Sequence, residues 1–137
     1  MEIEKKAVKL MGENSEVITA ELIIKEDIPE NVDMIILELL FNGESILGQS
    51  DNMFDSLKEL RKQLEKKRIQ ILCNGAARNV YPSAMQFSMG NTRKAYKLYK
   101  GEQARMKDMV DIFELDDGLE FVDINEQLKF FEEWINR

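Results

Sequence analysis

The chain has 137 residues, 44% hydrophobic and 33% charged, with a formal net charge of −7. That size and composition fit one globular domain with a real hydrophobic core, residues 1–137, and exclude a disordered chain. With no His and a single Cys, Cys73, the sequence excludes Ser-His-Asp and Cys-His catalysis, His- or thiolate-bound zinc and an internal disulfide.

Residues 2–10, EIEKKAVKL, form a short charged strand candidate, and Gly12 to Ser15 a turn. In EVITAELIIKE, residues 16–26, the row Ile18, Ala20, Leu22 and Ile24 is wholly apolar and should face the core. Pro29 closes the segment. MIILELLF, residues 34–41, places Ile35, Leu37, Leu39 and Phe41 on one face. Asn42-Gly43 then separates two strand-like runs. This is the strongest short hairpin signal, because both central positions of a type I′ turn need positive φ.

The period changes in SDNMFDSLKELRKQLEKKR. Met53, Leu57, Leu60 and Leu64 fall on one face of a helix over 52–67. Ser50, Asp51 or Asn52 can cap it, and Lys66, Lys67 and Arg68 complement its C-terminal dipole. IQILC, residues 69–73, reads as a buried strand, with Cys73 a small core hydrophobe. Asn74-Gly75 suggests a second hairpin turn, the competing reading being a ligand seat with close backbone approach. KAYKLY (94–99) and MVDIFEL (109–115) are strand candidates that should pair. Asp123 and Glu126 have capping-box spacing. They open a helix over 124–136 with Leu128, Phe131 and Ile135 on one face, Phe130 and Trp134 beside it, and a sheet needed to cover them. Strands, helix, strands, helix without βαβ alternation predict an α+β fold: a single, mostly antiparallel β-sheet with two helices packed on one face.

Charge is segregated. Residues 1–60 hold 5 Lys/Arg against 14 Asp/Glu, residues 61–107 hold 12 against 2, and residues 108–137 hold 2 against 10. Overall acidity argues against non-specific nucleic-acid binding, which needs a net basic footprint, although the central block could build a local positive face. Three accounts stand: mutual neutralisation of adjacent segments, an anion site in the basic block, or acidic flanks that engage a basic partner. No apolar run approaches the roughly 20 residues of a membrane helix. The opening MEIEKKAVKL has no signal-peptide core. A cytoplasmic protein without membrane association is expected.

The stretch from Asn74 to Asn91 reads as a long loop, and such loops in compact domains usually have a reason. Arg78 is an anion clamp or a structural bond to loop carbonyls. Tyr81 before Pro82 fixes a bend and serves as rim hydrogen-bonder or core plug. Ser83 has no base partner. Met85, Phe87 and Met89 alternate, for packing or for adaptable partner binding. Arg93, Lys94 and Lys97 are a solvated strand face or part of a site. Asp108, Asp111, Asp116 and Asp117 do not follow calcium-loop spacing, so no metal and no cofactor is expected.

The succession NGAARNVYPSAM, MG, RKAYKLYKG and MVDIF, over residues 70–114, resembles small bacterial proteins, some of the immunity or antitoxin type encoded beside secreted toxins. The resemblance implies that Arg78, Tyr81, Pro82, Ser83, Met85 and Lys94 to Tyr96 define the family core. It brings no catalytic residue. The expected function is a non-enzymatic interaction protein, of immunity type, that neutralises a protein partner through an acidic and aromatic surface. The alternative is a small-molecule or anion-binding domain using the 74–91 loop with Arg78, Arg93 and Lys94. Candidate binding residues are Asn74, Arg78, Tyr81, Ser83, Met85, Arg93, Lys94 and Tyr96. Exposed strand edges would also permit a homodimer.

Overall fold

The alternating segments near the N-terminus form an antiparallel meander: β1 (Glu2–Met11), β2 (Val17–Glu26), β3 (Ile35–Phe41) and β4 (Glu44–Ser50). The computed structural model describes residues 1 to 136. Asn42 and Gly43, at φ 49° and 74°, join β3 to β4 as the two-residue turn expected, with Phe41 opposite Glu44. β5 (Gln70–Leu72) pairs antiparallel with only Lys9, Leu10 and Met11 of β1, giving the order β4-β3-β2-β1-β5.

The period-2 pattern decides which face is covered. Ala20, Leu22 and Ile24 of β2 and Ile35, Leu37, Leu39 and Phe41 of β3 are buried, with Ile18 packed at their margin. Helix α1 (Met53–Lys66) lies on this face. Its Leu57, Leu60 and Leu64 are fully buried, each contributing roughly 1.5–3 kcal/mol of transfer free energy. Gly48 of β4 lets α1 come this close. A Cβ there would meet the Ser56 carbonyl oxygen and sit 2.6 Å from the Leu60 nitrogen. The Ser56 hydroxyl donates to the Ile35 carbonyl at 2.9 Å, tying α1 to β3.

The first N–H groups of α1 have no partner within the helix and are satisfied from outside. Met53 N donates to Asn91 O, Phe54 N to Thr92 Oγ1 and Asp55 N to Asn52 Oδ1, at 2.7, 2.7 and 2.9 Å. Buried Thr92 holds φ 62°, a strained value for a β-branched residue. That turn pins the 90–93 segment to the start of α1.

The single-sheet expectation requires correction. A second, three-stranded sheet is formed by β6 (Val80–Tyr81), β7 (Lys94–Lys97) and β8 (Met109–Asp111), in the order β6-β7-β8. β7 and β8 pair as expected. The chain leaves the large sheet at Asn74-Gly75, which is a turn of 3-10 helix and not a hairpin. The cause is the buried Asn74 amide. It donates to Asp111 O and Asp116 Oδ1 and accepts from Asp116 N, while Asn74 N and Gly75 N donate to Glu114 O and Ile112 O. A side chain at Gly75 would press on Leu57 and Ile112.

The expected pair of helices is also one short. A short α2 (Ala84–Met89) occupies part of the predicted loop, closed by a capping box between Ser83 and Gln86. α3 (Ile124–Ile135) starts on the predicted Asp123 cap. It lies beside α1 and the small sheet, not on the five-stranded sheet. Leu128 and Ile135, expected to be covered, are 41% and 54% exposed. The α3 residue that is buried is Gln127.

Gln127 belongs to a polar clasp inside the apolar layer. Its Nε2 faces the carbonyls of Gly75, Ala77 and Val80 at 2.8, 2.9 and 3.0 Å. Its Oε1 accepts from Arg61 Nη1 at 2.6 Å, and Arg61 Nη2 donates to Val122 O at 2.8 Å. Arg61 is 2% exposed, and among the described residues none of its hydrogen-bond partners is a carboxylate. Burial lowers its pKa without making it neutral. The clasp binds α1, the 75–80 segment and α3 into one unit.

Seven of the twelve cations of the basic block are engaged by the acidic flanks, Lys62 through Glu59 one turn away on α1. Lys67 pairs with Glu44, Arg68 with Glu13, Arg78 with Glu120 and Glu126, Arg93 with Glu4 and Asp111, Lys97 with Asp116 and Lys100 with Glu133. The account of mutual neutralisation thus describes these seven cations. No helix among the described residues is long and apolar enough to cross a membrane.

Candidate functional site: an aromatic groove

The small sheet, α2 and α3 enclose an apolar groove of about 500 Å³. Its size falls within the range of small-ligand and peptide-anchor pockets. β6 supplies Tyr81, β7 supplies Tyr96, and the two residues are opposite each other in register. Pro82, Ser83, Ala84 and Phe87 line one wall, Leu98 and Ala104 a second, and Phe131, Trp134 and Ile135 a third.

The rings are mutually ordered. Tyr81 stacks on Phe131 with centroids 4.0 Å apart and planes 13° from parallel. Phe131 continues to Trp134 at 6.2 Å and 23°. Phe54, under the groove from α1, meets Tyr81 edge-on at 4.9 Å and Phe87 at 6.2 Å. Such pairs add roughly 0.5–1.5 kcal/mol each beyond the area they bury. Trp134 Nε1 donates to the carbonyls of Tyr99 and Glu102 at 3.1 and 3.0 Å, holding the 99–104 loop, with Ala104, as part of the second wall. The Tyr96 hydroxyl reaches Met106 Sδ at 3.7 Å.

Few polar groups enter the groove. Ser83 Oγ is occupied by capping Gln86 N at 3.1 Å. Burial, followed by the charges of Asp55 and Glu132, raises the Tyr81 phenol above its ordinary value, so it stays protonated at neutral pH. The arrangement can bury apolar or aromatic surface. It offers no cluster of carboxylate or thiolate side chains, and among the described residues no group of His, Cys, Asp or Glu could hold a metal ion. Cys73 is fully buried beneath the sheet, and burial pushes its thiol up to about 11.

The structure divides the eight residues expected to bind. Tyr81, Ser83 and Tyr96 line the groove, Met85 stands 69% exposed on α2 beside it, and Lys94 is exposed on the same strand as Tyr96. Asn74 is fixed within the fold by the 111–116 segment. Arg78 Nη1 and Nη2 donate to Glu126 and Glu120 at 2.9 and 2.7 Å. Arg93 is held by Glu4 and Asp111 and lies 5.0 Å from the Phe113 ring centroid. Burial opposes its charge, but the two carboxylates outweigh that and hold its pKa above the ordinary arginine value. Phe87, Leu98, Ala104, Phe131, Trp134 and Ile135 were not among the expected binding residues.

A second depression of about 490 Å³ opens at the other end of α2, lined by Glu26, Asp27, Val32, Asp33, Ile35, Asp51 and Asn91. Glu26 lies opposite Glu2 across β1 and β2. Burial, then hydrogen bonding and repulsion from Glu2 and repulsion from Asp27, hold its carboxyl above the ordinary value. Asn91 Nδ2 donates to Glu26 Oε1 at 3.1 Å. No protein-family model matches this chain, and no curated protein does either.

Proposed function

We propose that the protein is a non-enzymatic interaction protein whose working surface is the aromatic groove. One observation carries this reading: α3 lends Phe131, Trp134 and the 54% exposed Ile135 to an open apolar groove, with exposed Met85 and Met89 on the α2 that walls it and exposed Met106 against Tyr96. Flexible, polarizable Met side chains around an apolar trough suit a partner surface that must adapt to what it receives. Neutralisation of a secreted toxin, as in immunity proteins, is the form of this activity we favour. It follows from the sequence resemblance and is compatible with a surface that binds and does no chemistry. An anion site at Arg78, Arg93 and Lys94 finds less support, because both arginines are engaged by carboxylates of the same chain.

The test uses Ala84→Arg, a change at an exposed helical position on the groove wall. The product of the neighbouring gene is expressed in a host cell alone, with the protein, and with the variant. Growth arrest alone, rescue by the protein and loss of rescue with Ala84→Arg at unchanged melting temperature are the expected results. A harmless neighbour removes the immunity reading. Rescue that survives the blocking arginine removes the groove as its site.

A further inference from the structure

The groove does not end in neutral surface. α2 joins it to the acidic depression: Phe87 lines the one and Asn91 the other. Four residues of chain span at most about 14 Å, so a single bound segment can reach both. The start of α1 makes a second link, with Asp51 in the depression and Phe54 under the groove's rings.

Four carboxylates without an ion pair come together at this end, lining or rimming one depression. Glu26, Asp27, Asp33 and Asp51 have no ion-pair partner among the described residues, whereas Glu4, Glu44, Asp111, Glu114, Asp116, Glu120 and Glu126 each have one. Among the described residues no cation makes an ion pair with them, and the attraction of Arg93 for Glu26 is the weakest of the influences on that carboxyl. Lys25 pairs with Glu38, Arg93 is held by Glu4 and Asp111, and Lys94 does not line the depression. Glu26 and Glu2 face each other with like charge, which an incoming cation would relieve.

We infer, building on the groove reading above, that the preferred occupant is a basic amphipathic segment of a protein partner. Its apolar side chains fill the trough between Tyr81, Phe87 and Trp134. Its Lys or Arg residues lie past Met89 against Asp27, Asp33 and Asp51. Apolar contact supplies the affinity, and the unneutralised carboxylates select the sign of the partner's charge and set which end lies where.

Trp134 is the chain's single Trp and stands in the groove wall, so its fluorescence reports occupancy. The probes are synthetic amphipathic peptides of about 14 residues, roughly 21 Å as a helix, sharing one apolar pattern. One set carries three Lys at either terminus and the other three Glu. With exposed pairs worth about a factor of two each, the best Lys peptide should bind about tenfold more tightly than its Glu counterpart. The preference should shrink toward unity in about 0.5 M salt and in the Asp27→Asn/Asp33→Asn variant. Both positions are exposed, and Asn tolerates the positive φ of 51° at Asp27. Equal affinities, a Glu-peptide preference, or a Lys preference that survives high salt and the double variant would overturn the inference and leave the groove reading standing. If no peptide moves Trp134, or if its signal changes only with protein concentration, as a second copy in the groove would produce, both fall.

Discussion

Replacing Gln127 by Met should unfasten the small sheet from α1 at nearly constant volume. Met is unbranched and fills irregular space, so packing loss stays small. What disappears is polar. Two N–H donors shared among the Gly75, Ala77 and Val80 carbonyls are lost, together with the acceptor at 2.6 Å from buried Arg61. At about 1 kcal/mol for each amide bond and about 2 kcal/mol for the charged one, the loss comes to about 4 kcal/mol. A chain of 137 residues unfolds with an entropy of about 0.3 kcal/mol/K near its midpoint, so the melting temperature should fall by about 13 °C. Circular dichroism measures the midpoint, and the Trp134 emission maximum reports whether the groove wall loosens first. A fall below about 3 °C would refute the reasoning, since Arg61 and the three carbonyls would then have other partners.

Further outcomes follow from the same geometry. Gly48→Ala should cost about 2–3 kcal/mol in urea unfolding, because the new methyl meets backbone of α1 and not a movable side-chain end. Glu26→Gln should raise the melting temperature at pH 7. The folded carboxyl titrates above the unfolded one, so its ionised form opposes folding above that raised value. The gain should vanish below the ordinary value of 4.5, where both states are protonated; a gain unchanged at pH 4 would contradict this. Glu4, Glu38 and Asp116 shift the other way, held down chiefly by hydrogen bonds from Arg93, Ser45 and Lys97. Their stabilisation is complete above the ordinary values of 4.5 and 3.8 and is lost as acid titrates the folded groups. Cys73, buried and with its thiol at about 11, should resist a thiol reagent at pH 8 until denaturant is added.

The large sheet was legible because one physical variable decided it. Alternation of Leu22, Ile24, Leu37 and Leu39 and the Asn42-Gly43 turn are local signals, and α1 announces itself by period and cap. The small sheet was not, because tertiary bonds outweighed local propensity. Asn74-Gly75 has the composition of a hairpin turn, but a fully satisfied buried amide draws it onto the 111–116 segment. For the site, the bend at Tyr81-Pro82 and the neighbouring Ser83 and Tyr96 were in view. The wall from α3 was missed, since its aromatic residues read as a face to be covered. Two signals were present in the sequence. Gln127 interrupts the stripe Ile124, Phe131 and Trp134, and Arg61 stands between Leu57 and Leu64 on the apolar face of α1. A polar residue on each of two apolar helical faces indicates that those faces meet something polar, here one another.

The sequence distance across the clasp sets an order of events. β1 to β4 are joined by connections of two to eight residues, whereas Arg61 and Gln127 are 66 positions apart. Closing the longer loop costs more chain entropy and comes later. We expect a refolding interval in which the meander and α1 exist while Tyr81, Phe131 and Trp134 remain apart. Stopped-flow ellipticity should then lead Trp134 fluorescence, and superimposable traces would show that sheet and groove form together. The ability to bind would be acquired after the ability to hold a shape.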